Sequence, residues 1–405
     1  EFLNSNIEDW MEKWDLEFGG DIAQQKFVSP SKYLFLLNYG RIYKDQKVLN
    51  HVKNTLDIIA SSGMNDFIEG GFYRYTVDNE WKIPHFEKML YDQAQMISLF
   101  SMGYKVFGDQ SFKDIVSNTI LFLSNKMSST DGLYYAAMDA DTDGEEGKYY
   151  SYEMDELKMI SENTDFDLFL SYYNIDVENP WEKNRFLLLP NKFNYEKKWI
   201  DSNNVSKKEI SDLITIWEKN INDIKEDRTK PRIDDKIIVS WNALAIIGLI
   251  DAYDAFKNED YISIAKSMFK ELKDNSYRKG QLIHTYKENQ FQEGVLEDYA
   301  YLSKAAMRLF QATGNISYFD FSKKVIDNAL ELFNDEQSDL LKYSNNEELF
   351  TKVISIDDGV TPSPNSIIAE QLFSIGHVIF DDEYLDLSDK MVSAVQKIID
   401  GNINS

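Results

Sequence analysis

Trp241-Asn242-Ala243-Leu244-Ala245-Ile246-Ile247-Gly248-Leu249-Ile250 is apolar almost all round, as a helix buried on several sides must be. After the turn Lys257-Asn258-Glu259 the character changes. Tyr261, Ile264, Ala265, Met268, Phe269 and Leu272 form one apolar stripe at i, i+3, i+4 spacing, with charge on the back. The pair reads as an inner and an outer helix joined by a short turn. Asp109-Gln110-Ser111-Phe112, Ile316-Ser317-Tyr318 and Asp382-Glu383-Tyr384 repeat the start of the outer helix, a polar cap followed by an aromatic. Asp45-Gln46-Lys47-Val48 is a weaker copy. Each follows a more uniformly apolar helix that begins near Ser29, Asp92, Asn242, Asp298 or Asn365. Ser29-Pro30 and Ser363-Pro364 both read as an N-cap with proline at the first helical position.

Residues 151–230 are irregular, with helices expected at Glu153–Ser161 and Ser206–Asn222, the second opened by a Ser206-x-x-Glu209 capping box. Counting them as a distorted third pair gives six pairs, and a repeat of this kind implies stacked helical hairpins. The expected fold is all-α, an (α/α)6 barrel or six-hairpin toroid, with short β-like loops at one end. Residues 1–18 would be a helical linker segment and 19–405 the barrel.

The connections are unequal. Inner-to-outer turns are short, such as Phe107-Gly108-Asp109 and Thr313-Gly314-Asn315. Outer-to-inner connections are long and carry Gly-aromatic pieces: Gly70-Gly71-Phe72-Tyr73-Arg74-Tyr75, Asp131-Gly132-Leu133-Tyr134-Tyr135 and Gly280-Gln281-Leu282-Ile283-His284. Long loops carry function disproportionately, and these meet the inner helices at their N-termini, where free N–H groups favour polar ligands.

The densest polar run lies there: Arg74, Tyr75, Asp78 and Trp81, then Pro84-His85-Phe86-Glu87-Lys88-Met89-Leu90-Tyr91-Asp92-Gln93. Lys88, Tyr91 and Asp92 would share one helical face. Trp241, Asn242, Asp298, Tyr299 and Asn365 occupy matching helix starts, where capping is the plain alternative to ligand binding. Of the four histidines, His51 and His377 fall inside helical patterns, whereas His85 and His284 fall in the long loops. Asp139-x-Asp141-x-Asp143-Gly144-Glu145-Glu146 opens like a calcium loop, but Tyr150 stands where an EF-hand needs Glu. It reads instead as an acidic loop over the barrel mouth. Neither metal-ligand histidine spacing, a phosphate-cradling loop nor a nucleophile elbow is present, so no metal and no cofactor are assigned.

Composition narrows the partners. A net charge of −26 argues against nucleic acid and anionic membranes, which need clustered Lys and Arg. No run reaches the roughly 18 apolar residues of a membrane span. Cysteine is absent, which removes disulfide and thiol chemistry and fits a reducing, cytoplasmic setting. The start at Glu1 without Met suggests a chain processed or cut from something longer.

From Gly70 to Ala94 the sequence closely resembles the signature of the spermatogenesis-associated thioredoxin-domain family. Gly19-Gly20 with Lys26-Phe27, Asp139-Ala140-Asp141 with Gly144-Glu145-Glu146-Gly147, Asp234-Asp235-Lys236 with Trp241-Asn242, Asp298-Tyr299-Ala300, and Pro362-Ser363 with Asn365-Ser366 agree in order. Ala243, Pro364 and Val28 depart from it locally. The resemblance implies a six-hairpin barrel similar to glycosidases and N-acylglucosamine 2-epimerases, with a thioredoxin-like domain as partner in cis or trans.

Two functions follow as expectations. One is a carbohydrate-active enzyme with a small, sugar-like ligand. Epimerisation or isomerisation needs a base and an acid beside a carbonyl, for which His85 with Glu87, and His284 or Asp298, are candidates. Hydrolysis needs two carboxylates about 5 to 9.5 Å apart, for which Asp92, Asp298 and Asp139 are candidates. Arg74, Tyr75, Trp81, Lys88, Tyr91, Asp139, Asp141, Glu145, Glu146, Trp241, Asn242, His284, Tyr299 and Asn365 would bind substrate. The other function is a non-catalytic binding module serving the redox domain.

Overall fold

The computed structural model describes residues 2–191, 196–287, 290–346 and 353–403. Helix makes up 57% of the chain, and the strands are short. The chain divides into two compact units: 1–93 with 99–125 and 137–234, and 94–98 with 126–136 and 235–405.

The first unit holds α1 (Phe2–Met11), α2 (Pro30–Tyr43), α3 (Gln46–Ser61), most of α4 (Leu90–Phe107), α5 (Gln110–Lys126), α6 (Met154–Ile160), α7 (Phe166–Tyr172), α8 (Glu196–Asn203) and α9 (Lys207–Glu226). Asp45 caps α3 by accepting the amides of Lys47 and Val48. Ser206 and Glu209 close the expected capping box on α9. Ser29 departs from expectation. Its backbone is left-handed, with φ of 38°, and its side chain caps nothing; its carbonyl takes the Lys32 amide instead. Around α6 to α9 the irregular stretch is held by an aromatic cluster of Phe169, Tyr172, Tyr173, Trp199 and Trp217. His51, on α3, lies buried in a parallel stack on Trp14, 4.0 Å between ring centroids.

The second unit holds α10 (Val239–Phe256), α11 (Glu259–Ser276), α12 (Leu296–Thr313), α13 (Ile316–Phe333), α14 (Pro364–Ile379) and α15 (Asp382–Ile403), three consecutive hairpins. Asn258, Asn315 and Ser363 cap α11, α13 and α14 as the repeat predicts. α10 is buried along nearly its whole length, while α11 buries Tyr261, Ala265, Met268, Phe269 and Leu272 of the expected stripe, with Ile262 and Ser276 beside them and Ile264 half-buried.

The short strands lie in the long loops. In the first unit, β1 (Tyr75–Thr76) pairs with β2 (Pro84–His85). β3 (Lys88–Met89), β4 (Ala137–Met138) and β9 (Ile233–Asp234) form a small antiparallel sheet. β5 (Asp141–Thr142) and β6 (Glu145–Glu146) make a hairpin whose turn, Asp143-Gly144, has positive φ at both residues, the conformation an Asp-Gly turn favours. β7 (Tyr152–Glu153) pairs with β8 (Arg185–Phe186). In the second unit β10 (Ile237–Ile238), β11 (Tyr277–Arg278), β12 (Gln281–Lys287) and β13 (Gln290–Glu293) form one sheet around β12.

A recurring device fixes loops to inner helices. In the first turn of α10, Asn242 accepts the Tyr134 amide at 2.8 Å and donates to the Tyr134 and Ile238 carbonyls, each at 3.0 Å. Near the start of α4, Gln93 does the same to Phe72 N–H and C=O, both at 2.7 Å, and to Met89. In α14, Asn365 takes the Leu341 amide and gives to the Leu341 and Ser355 carbonyls. A primary amide offers one acceptor and two donors, so it can close a two-way bond with a single loop residue that no strand serves. The Phe72 clamp also dictates Gly70-Gly71. Both have φ above 80°, and a Cβ would meet the Asn118 carbonyl at 2.5 Å from Gly70, and Phe122 and Gln93 below 3.0 Å from Gly71.

Asn242→Ala removes the hydrogen bonds to the N–H and C=O of Tyr134, at about 1–3 kcal/mol each. A marked drop in melting temperature is expected; an unchanged melting temperature with weakened ligand binding would return Asn242 to the ligand site.

Candidate functional site

In the first unit, residues 84–89 run extended, and period-two alternation decides their fate. Pro84, Phe86 and Lys88 are buried, while His85, Glu87 and Met89 are partly exposed. His85 Nδ1 lies 2.7 Å from Glu146 Oε1, on the β5–β6 hairpin, and its Nε2 lies 3.8 Å from Glu87 Oε2. Arg74 donates from Nη1 to Glu87 Oε2 at 3.1 Å and also bonds Tyr91. Tyr75 stacks on the His85 ring at 4.9 Å, and Phe27 stacks on Tyr75 at 4.7 Å. Asp92 follows in the first turn of α4. Burial pushes its carboxyl well above the ordinary range, Arg74 opposing and Glu87 adding to the rise, which favours the neutral acid.

In the second unit, the carboxylate of Asp298 is fully buried at the start of α12. Oδ1 accepts the Ser240 amide at 3.0 Å, and Oδ2 accepts the Val295 amide at 2.9 Å. His284 Nδ1, from β12, sits 3.1 and 2.9 Å from the two oxygens. With Nδ1 engaged, Nε2 is the ring atom left for a proton transfer. Burial opposes the charged imidazole, but the bond to Asp298 and its charge, with Glu297 adding to them, more than offset this and raise the His284 pKa. Glu297 accepts from Ser240 Oγ at 3.0 Å and bonds Tyr343. Burial and the Asp298 charge push the Glu297 carboxyl up. A base and an acid held toward its protonated form therefore stand side by side.

His284, Glu297 and Asp298 are the one group among the described residues whose ligand atoms converge within 4.8 Å as a metal site would require. Their hydrogen bonds use the same atoms: a cation would displace His284 from Asp298, whose oxygens already carry two backbone amides.

Several expected ligand-binding side chains are turned inward. Lys88 is no part of a helical face with Tyr91 and Asp92, because α4 begins only at Leu90; it points from β3 into the core. There its ammonium, wholly buried, donates to Asp66 at 2.7 Å and to the Gly70 carbonyl at 2.9 Å. Trp81 is buried, with its indole N–H on the Phe18 carbonyl and its ring against Gly20 and Lys26, so it has no face for a sugar. Asn242 and Asn365 are the loop clamps, and Tyr299 spends its hydroxyl on the Leu282 amide. Trp241 is half-buried beside Asn242. Asp139 and Asp141 are exposed, Asp139 taking the Asp141 amide, while Glu145 pairs with Lys183. Of the expected set, Arg74, Tyr75, His85, Glu87, Tyr91, Asp92 and Glu146 gather in the first unit, and His284 with Asp298 in the second. Glu297, Ser240 and Tyr343 escaped the sequence reading. Glu297 precedes a singled-out Asp and Ser240 a singled-out Trp, which is a usable signal; Tyr343 carries none.

No family model matches the chain. Its curated homologues include the spermatogenesis-associated protein 20 of Mus musculus, 25% identical over 416 residues covering 93% of this chain and 52% of that protein. An uncharacterised protein of Caenorhabditis elegans is 28% identical over 417 residues, 92% of this chain and 56% of its own. The chain thus spans about half the length of the curated relatives it matches. Among solved structures, the GH76 alpha-mannanase of Bacteroides thetaiotaomicron overlays 95% of this chain and 80% of its own, with a TM-score of 0.55 at 9% identity. The fold class is the (α/α)6 barrel of such carbohydrate-active enzymes.

His284 titration should report the Asp298 bond directly. A folded pKa above the ordinary histidine value of about 6.5 means that the bond contributes fully below pH 6.5 and is lost as pH rises through the folded value. By NMR, the His284 midpoint should lie above that of free histidine and fall in Asp298→Asn, where only the Glu297 charge still opposes burial; equal midpoints in both proteins would contradict this.

Proposed function

We propose that this homologue of spermatogenesis-associated protein 20 is a carbohydrate-active enzyme that moves a proton beside a sugar carbonyl, as epimerisation and aldose–ketose isomerisation require. The observation that carries the reading is the Nδ1 of His284 held by both oxygens of a buried carboxylate, with the raised-pKa carboxyl of Glu297 alongside. His284 Nε2 takes the proton from the carbon next to the carbonyl. The C–H electron pair becomes the enediolate double bond, and Glu297 protonates the carbonyl oxygen as its charge develops. Return of a proton to carbon from the same or the opposite face decides the product. Asp298 keeps the ring oriented and offsets the imidazolium charge, a positioning role. The fold's occurrence among glycosidases is compatible with this chemistry without deciding it.

A second reading is glycoside hydrolysis. It rests on Asp92, a carboxyl held toward the neutral acid near the Glu87 carboxylate, the acid and partner that a paired-carboxylate mechanism uses.

Proton exchange leaves an isotopic record even when net conversion is small. Incubation with aldoses, ketoses and N-acetylated sugars in D2O should place deuterium at the carbon beside the carbonyl. His284→Ala should slow that exchange by about 10²–10⁴-fold, the usual contribution of a general base, in a variant that circular dichroism shows to be folded. Cleavage of an aryl glycoside without exchange would replace the first reading by the second; neither activity would defeat both.

A further inference from the structure

Two buried polar atoms of the first-unit cluster are unsatisfied: Arg74 Nε and Asp92 Oδ2. Buried donors and acceptors are nearly always paired, and leaving one bare costs about 1–3 kcal/mol, so such a pair calls for an occupant. The rest of the cluster restricts what that occupant is. Arg74 already spends Nη1 on Glu87 and bonds Tyr91. Glu87 accepts from the Arg74 guanidinium, whose charge also acts on the Asp92 carboxyl, and Glu146 holds His85. A phosphate or carboxylate entering here would meet three carboxyl groups and a guanidinium whose charge is already engaged. A cationic ligand would suit the carboxylates but would leave the Arg74 N–H facing positive charge. A hydroxyl suits both orphans: it accepts from Nε–H, and it donates to Oδ2 or accepts from it when Asp92 is protonated. Beside them the Phe27, Tyr75 and His85 rings form a continuous stack, and Phe27 is 51% exposed, an apolar platform for the C–H face of a pyranose.

We infer that the Arg74–Asp92 pair is a binding subsite for adjacent hydroxyls of a neutral, unphosphorylated sugar, and that it selects against sugar phosphates and uronates. The inference rests on the carbohydrate reading above and names the substrate class. It is tested by binding alone, so that loss of exchange with binding intact defeats the proposed chemistry without touching the subsite.

Saturation-transfer NMR on the full chain would compare D-glucose, D-mannose and cellobiose with glucose 6-phosphate, mannose 6-phosphate and D-glucuronate. The neutral sugars should bind at least tenfold more tightly than their anionic counterparts. Arg74→Lys keeps the charge but loses the Nε–H, and Asp92→Leu keeps the bulk but loses both oxygens. Each should weaken the neutral sugars about tenfold, the value of one hydrogen bond, with the melting temperature retained. Glu87→Gln releases the Arg74 charge and should raise affinity for mannose 6-phosphate, a gain that no loss of folding can imitate. Tighter binding of the phosphates or the uronate by the wild-type chain would overturn the inference. So would binding of no sugar, or neutral-sugar binding undiminished in both folded variants, which would mean that the orphan atoms hold only water.

Discussion

The buried carboxylate of Asp298 is the constraint on which the second unit is organised. Its two oxygens take the backbone amides of Ser240 and Val295, at the starts of α10 and α12, and the imidazole of His284 from β12. A carboxylate taken out of water must be met by donors on every side, or its burial would cost several kcal/mol. Here two helix N-termini, with their free N–H groups, supply that environment. The same requirement therefore sets the relation of two inner helices, holds a strand above them and fixes which nitrogen of His284 is engaged. One group thus orients His284 and anchors both helix starts, so replacing Asp298 loosens the two together.

The first unit meets the equivalent demand in a more distributed way. Lys88 is buried against Asp66 and the Gly70 carbonyl, with Asp66 held well below the ordinary carboxylate range because the Lys88 and Lys225 charges outweigh its burial. Lys225 in turn meets Glu69 at 3.0 Å. This interior ion network braces the extended segment 84–89, and the alternation along that segment then delivers His85 and Glu87 to the other side. The residues of the candidate site are thus held by ion pairs buried in the core.

Much of this could be read from the sequence because helix periodicity and caps are local. The outer-helix starts at Gln110, Glu259, Ile316 and Asp382 follow the polar-aromatic repeat closely, and Gln46 follows its weaker copy. The Gly-aromatic loops do contain the short strands. What local pattern could not separate was a polar side chain that serves a ligand from one that serves the backbone. Asn242 and Asn365 stand at helix starts where both roles are chemically sensible, and only the position of Tyr134 and Leu341, distant in sequence, decides for the clamp. Lys88 was misassigned because the helical register was extended two residues too far, across a strand whose alternation turns it inward. Trp81 looked like a sugar platform until the segment around Gly19-Gly20 closed over it. Glu297 was missed because its significance depends on Ser240, Tyr343 and His284 converging across three segments.

The central claim is that the buried carboxylate of Asp298 fixes the His284 imidazole by Nδ1 and leaves its Nε2 as the base of the proposed proton transfer. Long-range ¹H–¹⁵N spectra of histidine-labelled protein, recorded above the His284 titration, read the tautomer of the neutral ring directly. The account predicts the proton on Nδ1 of His284 and a bare Nε2; a neutral ring carrying its proton on Nε2 would contradict it.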